Sequence, residues 1–189
     1  MKEKFLEIFR AHITRRGADK LLEWLETTDF FIAPASTRFH AAYEGGLVEH
    51  SVNVYNVLTA KHFDPEKDNP ESFAIVSLLH DICKAGYYAT DFRNKKNERG
   101  EWERVPYYTI NDKFPYGHGE KSVFLIEKFM RLKNEEAVAI RWHMGGFDDS
   151  ARAGSFAIAN AYEKYPLAVK LHLSDLEATY LCEQHQEAL

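Results

Sequence analysis

The run Ile75-Val76-Ser77-Leu78-Leu79-His80-Asp81-Ile82-Cys83-Lys84 decides how this chain is read. It is apolar enough for the interior of a protein, yet it carries an ionisable pair in its middle. The pattern predicts a helix over 71–85, with Pro70 as a boundary before it and Gly86 after it. Burying His80 and Asp81 there is costly unless something compensates, and a metal ion is one such compensation. Neutral imidazole and carboxylate suit zinc, manganese, iron or nickel, and a carboxylate can bridge two ions. Taken alone, a His-Asp dipeptide is more often a hydrogen-bonded structural pair, because such pairs also perturb ionisation. Lys84 lies three residues after Asp81 and four after His80, which puts it on their helix face. A cation in that place can orient a phosphate or supply a proton, although a lysine near a helix end is by itself more often a solvated one.

On either side of this run the chain reads as helix. Phe5, Ile8, Phe9, His12 and Ile13 recur at helical spacing, as do Leu21, Leu22, Trp24 and Leu25, with Gly17 between them as the expected stop of the first helix. Pro34, Ser36 and the Gly45-Gly46 pair make 30–45 irregular. Helices are expected over 47–63, 118–132, 134–144, 152–164 and 166–186. The segment 87–110 differs, since aromatic and β-branched residues flank the polar run Asn94-Lys95-Lys96-Asn97-Glu98-Arg99-Gly100. That is the pattern of a β-hairpin, and Pro106 confines its second strand to an edge. The expected fold is therefore all-α, one helical bundle over 1–189, with N-terminal helices in 1–30 and an inserted hairpin within 87–116.

Composition narrows the classes further. The 189 residues are 45% hydrophobic and 28% charged, as in ordinary globular chains. Lys and Arg number 24 against 29 Asp and Glu, a net charge of −5, which weighs against general duplex DNA binding. Residues 91–104 hold five bases and four acids, so the hairpin turn carries little net charge. The N-terminal residues are an amphipathic pattern and not a secretion signal, no segment has the apolar length of a membrane span, and a cytoplasmic location is expected. Cys83 and Cys182 are too few for a disulfide scaffold and read as free, buried thiols.

Nine histidines stand against those two cysteines. His50 follows Gly45-Gly46-Leu47. His118 sits between Gly117 and Gly119, which suits close approach of a ligand and equally a plain helix N-terminus. His143 precedes Gly145-Gly146, where a histidine also complements a helix dipole. Asp175 lies in Leu173-Ser174-Asp175-Leu176. In the order His50, His80-Asp81, His118, His143, Asp175 the chain resembles the HD-domain metal-dependent phosphohydrolase superfamily over roughly 38–180. The fragment from Phe39-His40 through His50 looks like the HD domain of YhaM-type bacterial 3′–5′ exoribonucleases and of some conjugative relaxases.

The resemblance implies a primary metal site of His50, His80, Asp81 and Asp175. It implies a second ion held through His118 and His143, with Asp81 bridging the two. Two divalent ions (Mn, Fe, Ni, Zn or Mg) would lower the pKa of a shared water and neutralise phosphoryl oxygens. The implied activity is a phosphohydrolase or phosphodiesterase acting on a phosphomonoester or phosphodiester in a nucleotide or short nucleic acid. Asp81 and Lys84 would be catalytic, and Arg38 with Lys84 would bind the phosphate. Tyr87, Tyr88, Trp102, Tyr107 and Tyr108 suit a base-stacking lid, or packing of the hairpin onto the helices. The same ligand order also resembles mixed-valent di-iron oxygenases of the HD fold, and a third reading is a non-catalytic module that senses a nucleotide. Of the remaining histidines, His40 is expected behind the ligands, and His12, His62, His172 and His185 in core or surface positions.

Overall fold

The computed structural model describes residues 1–183, and nine α-helices and one β-hairpin follow in order along them. Helices α1 (Lys2–His12) and α2 (Ala18–Glu26) bury Phe5, Phe9, Leu21 and Leu25. Phe5 meets Phe30 and Phe31 edge-on at 5.4 Å, which seats the irregular 30–45 segment on α1. Gly17 does not stop the first helix. Helix α1 already ends at His12, and Gly17 caps the start of α2 with φ +97°. A Cβ there would lie 1.9 Å from the Phe129 carbonyl oxygen, so the glycine serves close approach as well as the turn.

Helix α3 (Gly46–His62) and helix α4 (Pro70–Leu79) form the centre of the bundle. Asn69 caps α4 by accepting from the Ser72 amide, and Pro70 takes the first helical position, where its missing N–H costs nothing. The expected helix over 71–85 is shorter than its apolar pattern: α4 stops at Leu79, and Asp81 (φ −103°, ψ 16°) leads into a 3₁₀ turn over Ile82–Lys84. The hydrophobic run continues past the helix end because all of 72–83 is buried, whatever its backbone.

Strands β1 (Tyr88–Lys96) and β2 (Trp102–Ile110) pair antiparallel, Tyr88 opposite Ile110 and Lys96 opposite Trp102. Pro106 stands opposite Phe92. In a two-stranded sheet both strands are edges, which is why the proline is tolerated. No hairpin residue is fully buried, so it stands off the core instead of packing into it.

Helices α5 (His118–Glu127), α6 (Asn134–Trp142), α7 (Asp149–Arg152), α8 (Ala157–Lys164) and α9 (Pro166–Glu177) complete the bundle. The helix expected over 118–132 ends early, where Glu127 turns to accept the Leu132 amide. The one expected over 152–164 is two pieces, parted by Gly154 at φ +90°. Helix α9 gives way to a π turn over Ala178–Cys182, and residues 184–186 of the expected helix lie outside the described residues, as does His185. A single apolar core draws on α1–α6 and α9. Cys83 is free and buried as expected, whereas Cys182 is exposed on the π turn. Among the described residues no helix is long and apolar enough to cross a membrane.

Gly46 opens α3, the helix that carries His50, and its Cβ would fall 2.0 Å from the Ala41 carbonyl oxygen. Gly46→Ala must push α3 off the 30–45 segment. The expected loss is about 1–3 kcal/mol, read from the urea midpoint.

Candidate metal centre

Two histidines reach the centre by the same local device. His80 and His143 are the residues that cap α4 and α6 at their C-termini. In each the ring folds back on its own helix, so that His80 Nδ1–H donates to the Ser77 carbonyl at 2.8 Å and His143 Nδ1–H to the Ile140 carbonyl at 2.6 Å. Each ring is thereby fixed in one tautomer, with the Nε2 lone pair turned away from its helix. Both side chains are fully buried.

Asp81 stands between the two ends, and its two oxygens face different partners. Oδ2 lies 3.7 Å from His50 Nε2, 3.6 Å from His80 Nε2 and 2.6 Å from Lys84 Nζ. Oδ1 lies 2.7 Å from His118 Nε2 and 3.5 Å from His143 Nε2. Asp175, on α9, places Oδ1 at 3.2 Å from His50 Nε2. Ligand atoms of His50, His80 and Asp81 fall within 4.8 Å of one another, and so do those of His80, His143 and Asp175, and those of Asp81, His118 and His143. All six residues singled out in the sequence thus come together, from α3, the end of α4, α5, the end of α6 and α9, with Asp81 in the turn after α4. Although α4 ends before Asp81, Lys84 still reaches it, because a 3₁₀ turn also brings residues three apart together.

The carboxylates and imidazoles of the site shift one another's ionisation. Burial disfavours charge on Asp81, yet Lys84, His80 and His118 hold its carboxyl well below the usual range. Burial likewise opposes charge on His50 and His118. Asp175 and Glu183 nevertheless push His50 up to about 10, and Cys83 and Asp81 do the same for His118. His80 goes the other way, down to about 3, since burial and the neighbouring His143 and His50 outweigh Asp81. His50 Nε2 and His80 Nε2 stand 3.2 Å apart. Only a proton or a metal ion between or beside them relieves that approach. His143 Nε2 is buried with no hydrogen-bond partner, and an orphaned imidazole nitrogen aimed at a carboxylate is what a ligand position leaves behind. The donor set, four imidazoles and two carboxylates, fits a transition-metal ion.

Other residues join the site that the sequence did not single out. Glu183, just past the π turn, has a fully buried side chain whose Oε1 accepts from His50 Nδ1–H at 2.8 Å and from Asn53 at 3.3 Å. That bond turns the His50 Nε2 toward Asp81. A lone glutamate after the last helix carries no pattern that would mark it. Glu183→Ala is expected to weaken metal affinity about 10–100-fold, and Glu183→Gln, which keeps the acceptor, less, as titration against a chelating dye would read. His172, expected in the core or on the surface, lies beside the site, and its Nδ1–H donates to the His143 carbonyl at 2.6 Å. His40, expected behind the ligands, packs its ring 5.0 Å from that of His50, lines the cavity, and groups with His50 and Glu183 in a further cluster that could hold a metal ion.

A cavity of roughly 680 Å³ opens over the centre, with Lys84, Tyr87, Tyr88, Phe147, Arg152 and His172 in its wall. Arg38 is absent from that wall: it is exposed, and its guanidinium lies 5.1 Å over the ring of its neighbour Phe39. The 36–40 turn leaves Arg38 facing outward, while the Ser36 hydroxyl donates to the His40 carbonyl. Arg152, at the end of α7, offers a cation at the cavity instead.

Fold and site together define a mainly helical protein with buried histidine and aspartate clusters around Asp81 that can hold a metal ion. The chain has no significant match to a protein-family model, to a curated protein or to a solved structure.

Proposed function

We propose that this chain is a metal-dependent phosphohydrolase with a dinuclear centre, cleaving a phosphomonoester or phosphodiester in a nucleotide or short nucleic acid. The observation that carries the reading is the division of Asp81: one oxygen faces His50, His80 and Lys84, the other His118 and His143. A carboxylate so placed suits a bridge between two ions. In this reading His50, His80, Asp81 and Asp175 hold one ion and Asp81, His118 and His143 the other. Such a pair of divalent ions would supply a water of lowered pKa and positive charge for the phosphoryl oxygens.

The remaining steps belong to the chain. Lys84 gives one of its three N–H donors to Asp81 and keeps the others for a phosphoryl oxygen at the cavity. Arg152 presents a planar fork suited to a second oxygen. His172, whose Nδ1–H is committed to a carbonyl, has Nε2 left to carry a proton to the leaving oxygen. The aromatic wall of the cavity offers faces for a base. Loading the ions must displace the protons that His50 and His118 otherwise hold.

The test is turnover of a panel of nucleotides and dinucleotides with Mn²⁺, Mg²⁺, Ni²⁺ or Fe²⁺. Release of phosphate or of a nucleoside monophosphate is expected. No release from any member, with the metal site shown to be full, contradicts the reading, and oxygen uptake by the iron form would point to an oxygenase instead.

A further inference from the structure

Counted along the chain, the hairpin has little net charge, but its register sorts the charges between its two faces. Side chains alternate along a strand. The pairing therefore puts Tyr88, Thr90, Phe92, Asn94 and Lys96 on one face with Trp102, Arg104, Pro106, Tyr108 and Ile110. That face has two cations and no acid. Asp91 and Glu103 fall on the opposite face with Arg93 and Lys95. The tip beyond Lys96 adds Glu98, Arg99 and Glu101. The basic face is also the one that exposes large apolar groups, since Phe92 is 50%, Trp102 69% and Ile110 60% exposed. Its cations lie on its rings, Arg104 at 4.6 Å over Phe92 and Lys96 at 5.3 Å over Trp102. At its base the face runs into the metal-site cavity, because Tyr88 and Ile110, paired across the strands, both line that cavity. The Tyr88 hydroxyl donates to the Ala35 carbonyl at 2.9 Å, which ties that end of the hairpin to the site.

We infer that this face is a track for single-stranded nucleic acid, leading one end of the strand to the metal centre. The inference rests on the phosphohydrolase reading for what happens at that end, and it names the longer substrate. Exposed rings and guanidinium planes offer stacking surfaces to unpaired bases, and Lys96 and Arg104 offer charge to the phosphates between them. A strip of rings with two cations toward its tip and no acid is complementary to a polyanion that carries flat apolar faces. A duplex hides those faces and gains only the charge. The acidic remainder of the chain does not oppose this, since a strand bound along the hairpin meets the local face and not the average.

The test is fluorescence anisotropy of labelled 12-mers with phosphorothioate linkages, as DNA and as RNA, against the whole protein, with a duplex of the same sequence beside them. Single strands of one or both sugars should bind more tightly than the duplex. Phe92→Ala and Trp102→Ala should each weaken binding about tenfold. Lys96→Glu with Arg104→Glu should lower the salt dependence by about 1.4 in log–log slope, the share of two phosphates on a single strand. Lys95→Glu, on the other face, should change it little. All of these residues are exposed or lie outside the apolar core, so the variants keep the fold. No binding of single strands, binding of duplex as tight, or equal losses from the two faces would overturn the inference. Turnover of mononucleotides would then still stand, whereas failure of turnover would leave the binding measured here intact.

Discussion

Asp81→Asn is expected to strip both metal ions from the protein and to lower hydrolysis by about 10³-fold or more. The change keeps the shape of the side chain and removes one negative charge and one acceptor oxygen. Asp81 is 2% exposed, and its two oxygens together serve four imidazoles and one ammonium. The amide replaces one acceptor with a donor that faces either the His50–His80 side or the His118–His143 side, and neither side can use it to hold a cation. Lys84 also loses the carboxylate that keeps its ammonium charged against the cost of burial. The pattern across variants is more diagnostic than the size of the loss. His118→Ala should cost the ion on its side and spare much of the other, and His50→Ala the reverse. Asp81→Asn alone should cost both. Metal content per chain, measured on each purified variant, gives the answer, and loss of a single ion from Asp81→Asn would deny the bridge.

The largest expected effect on stability is far from that centre. Arg15, in the turn after α1, makes a two-pronged bond to Glu136, with Nη1 at 2.7 Å from Oε2 and Nη2 at 2.8 Å from Oε1. It also reaches Glu71 at 3.0 Å and the Arg131 carbonyl at 3.0 Å. Glu71 returns two bonds to the backbone of the same turn, from the Thr14 and Arg15 amides. One guanidinium thus joins the turn before α2 to α4 and α6. Glu136 is fully buried, and without Arg15 it keeps only the Ser72 hydroxyl, the Lys133 amide and a Lys133 ammonium 4.0 Å away. Breaking one side of a buried pair leaves a charge uncompensated, at about 3–5 kcal/mol. Arg15→Ala should therefore lower the melting temperature by on the order of 10 °C for a chain of this size. Arg15→Lys should recover part of it, since an ammonium cannot make the two-pronged bond. A shift within a degree or two would mean that Glu136 is held by its other partners.

How much of this was legible in the sequence depended on the kind of signal. Of the six candidate ligands, His80 and Asp81 are legible because an ionisable pair inside an apolar run is expensive, whereas His50, His118, His143 and Asp175 are legible only through the ordered pattern of the family the chain resembles; the structure brings all six together. The hairpin was legible from its turn chemistry. Where α4 ends was not, because 72–83 is buried throughout and hydrophobicity does not stop where the helix does. Gly17 was read as a stop when its necessity is a contact with Phe129, 112 residues away in sequence, which no local pattern reveals. Arg38 is expected at the phosphate but is exposed and outside the cavity wall, because the direction of a side chain on an irregular turn is set by tertiary contacts. Glu183 and His172 carry no local pattern that marks them, and only tertiary contacts bring them to the site. The charge of the hairpin nearly cancels when summed along the chain, and only the two-residue period of paired strands separates the acids from the face that carries Phe92, Trp102, Lys96 and Arg104.

The central claim is that Asp81 bridges two ions. The most direct measurement is anomalous scattering from crystals of the manganese-loaded protein, with metal content determined on the same preparation. The account predicts two ions per chain about 3.5–4 Å apart, one beside His50, His80 and Asp175, the other beside His118 and His143, with an oxygen of Asp81 on each. A single ion per chain, or two ions that do not share Asp81, would contradict it.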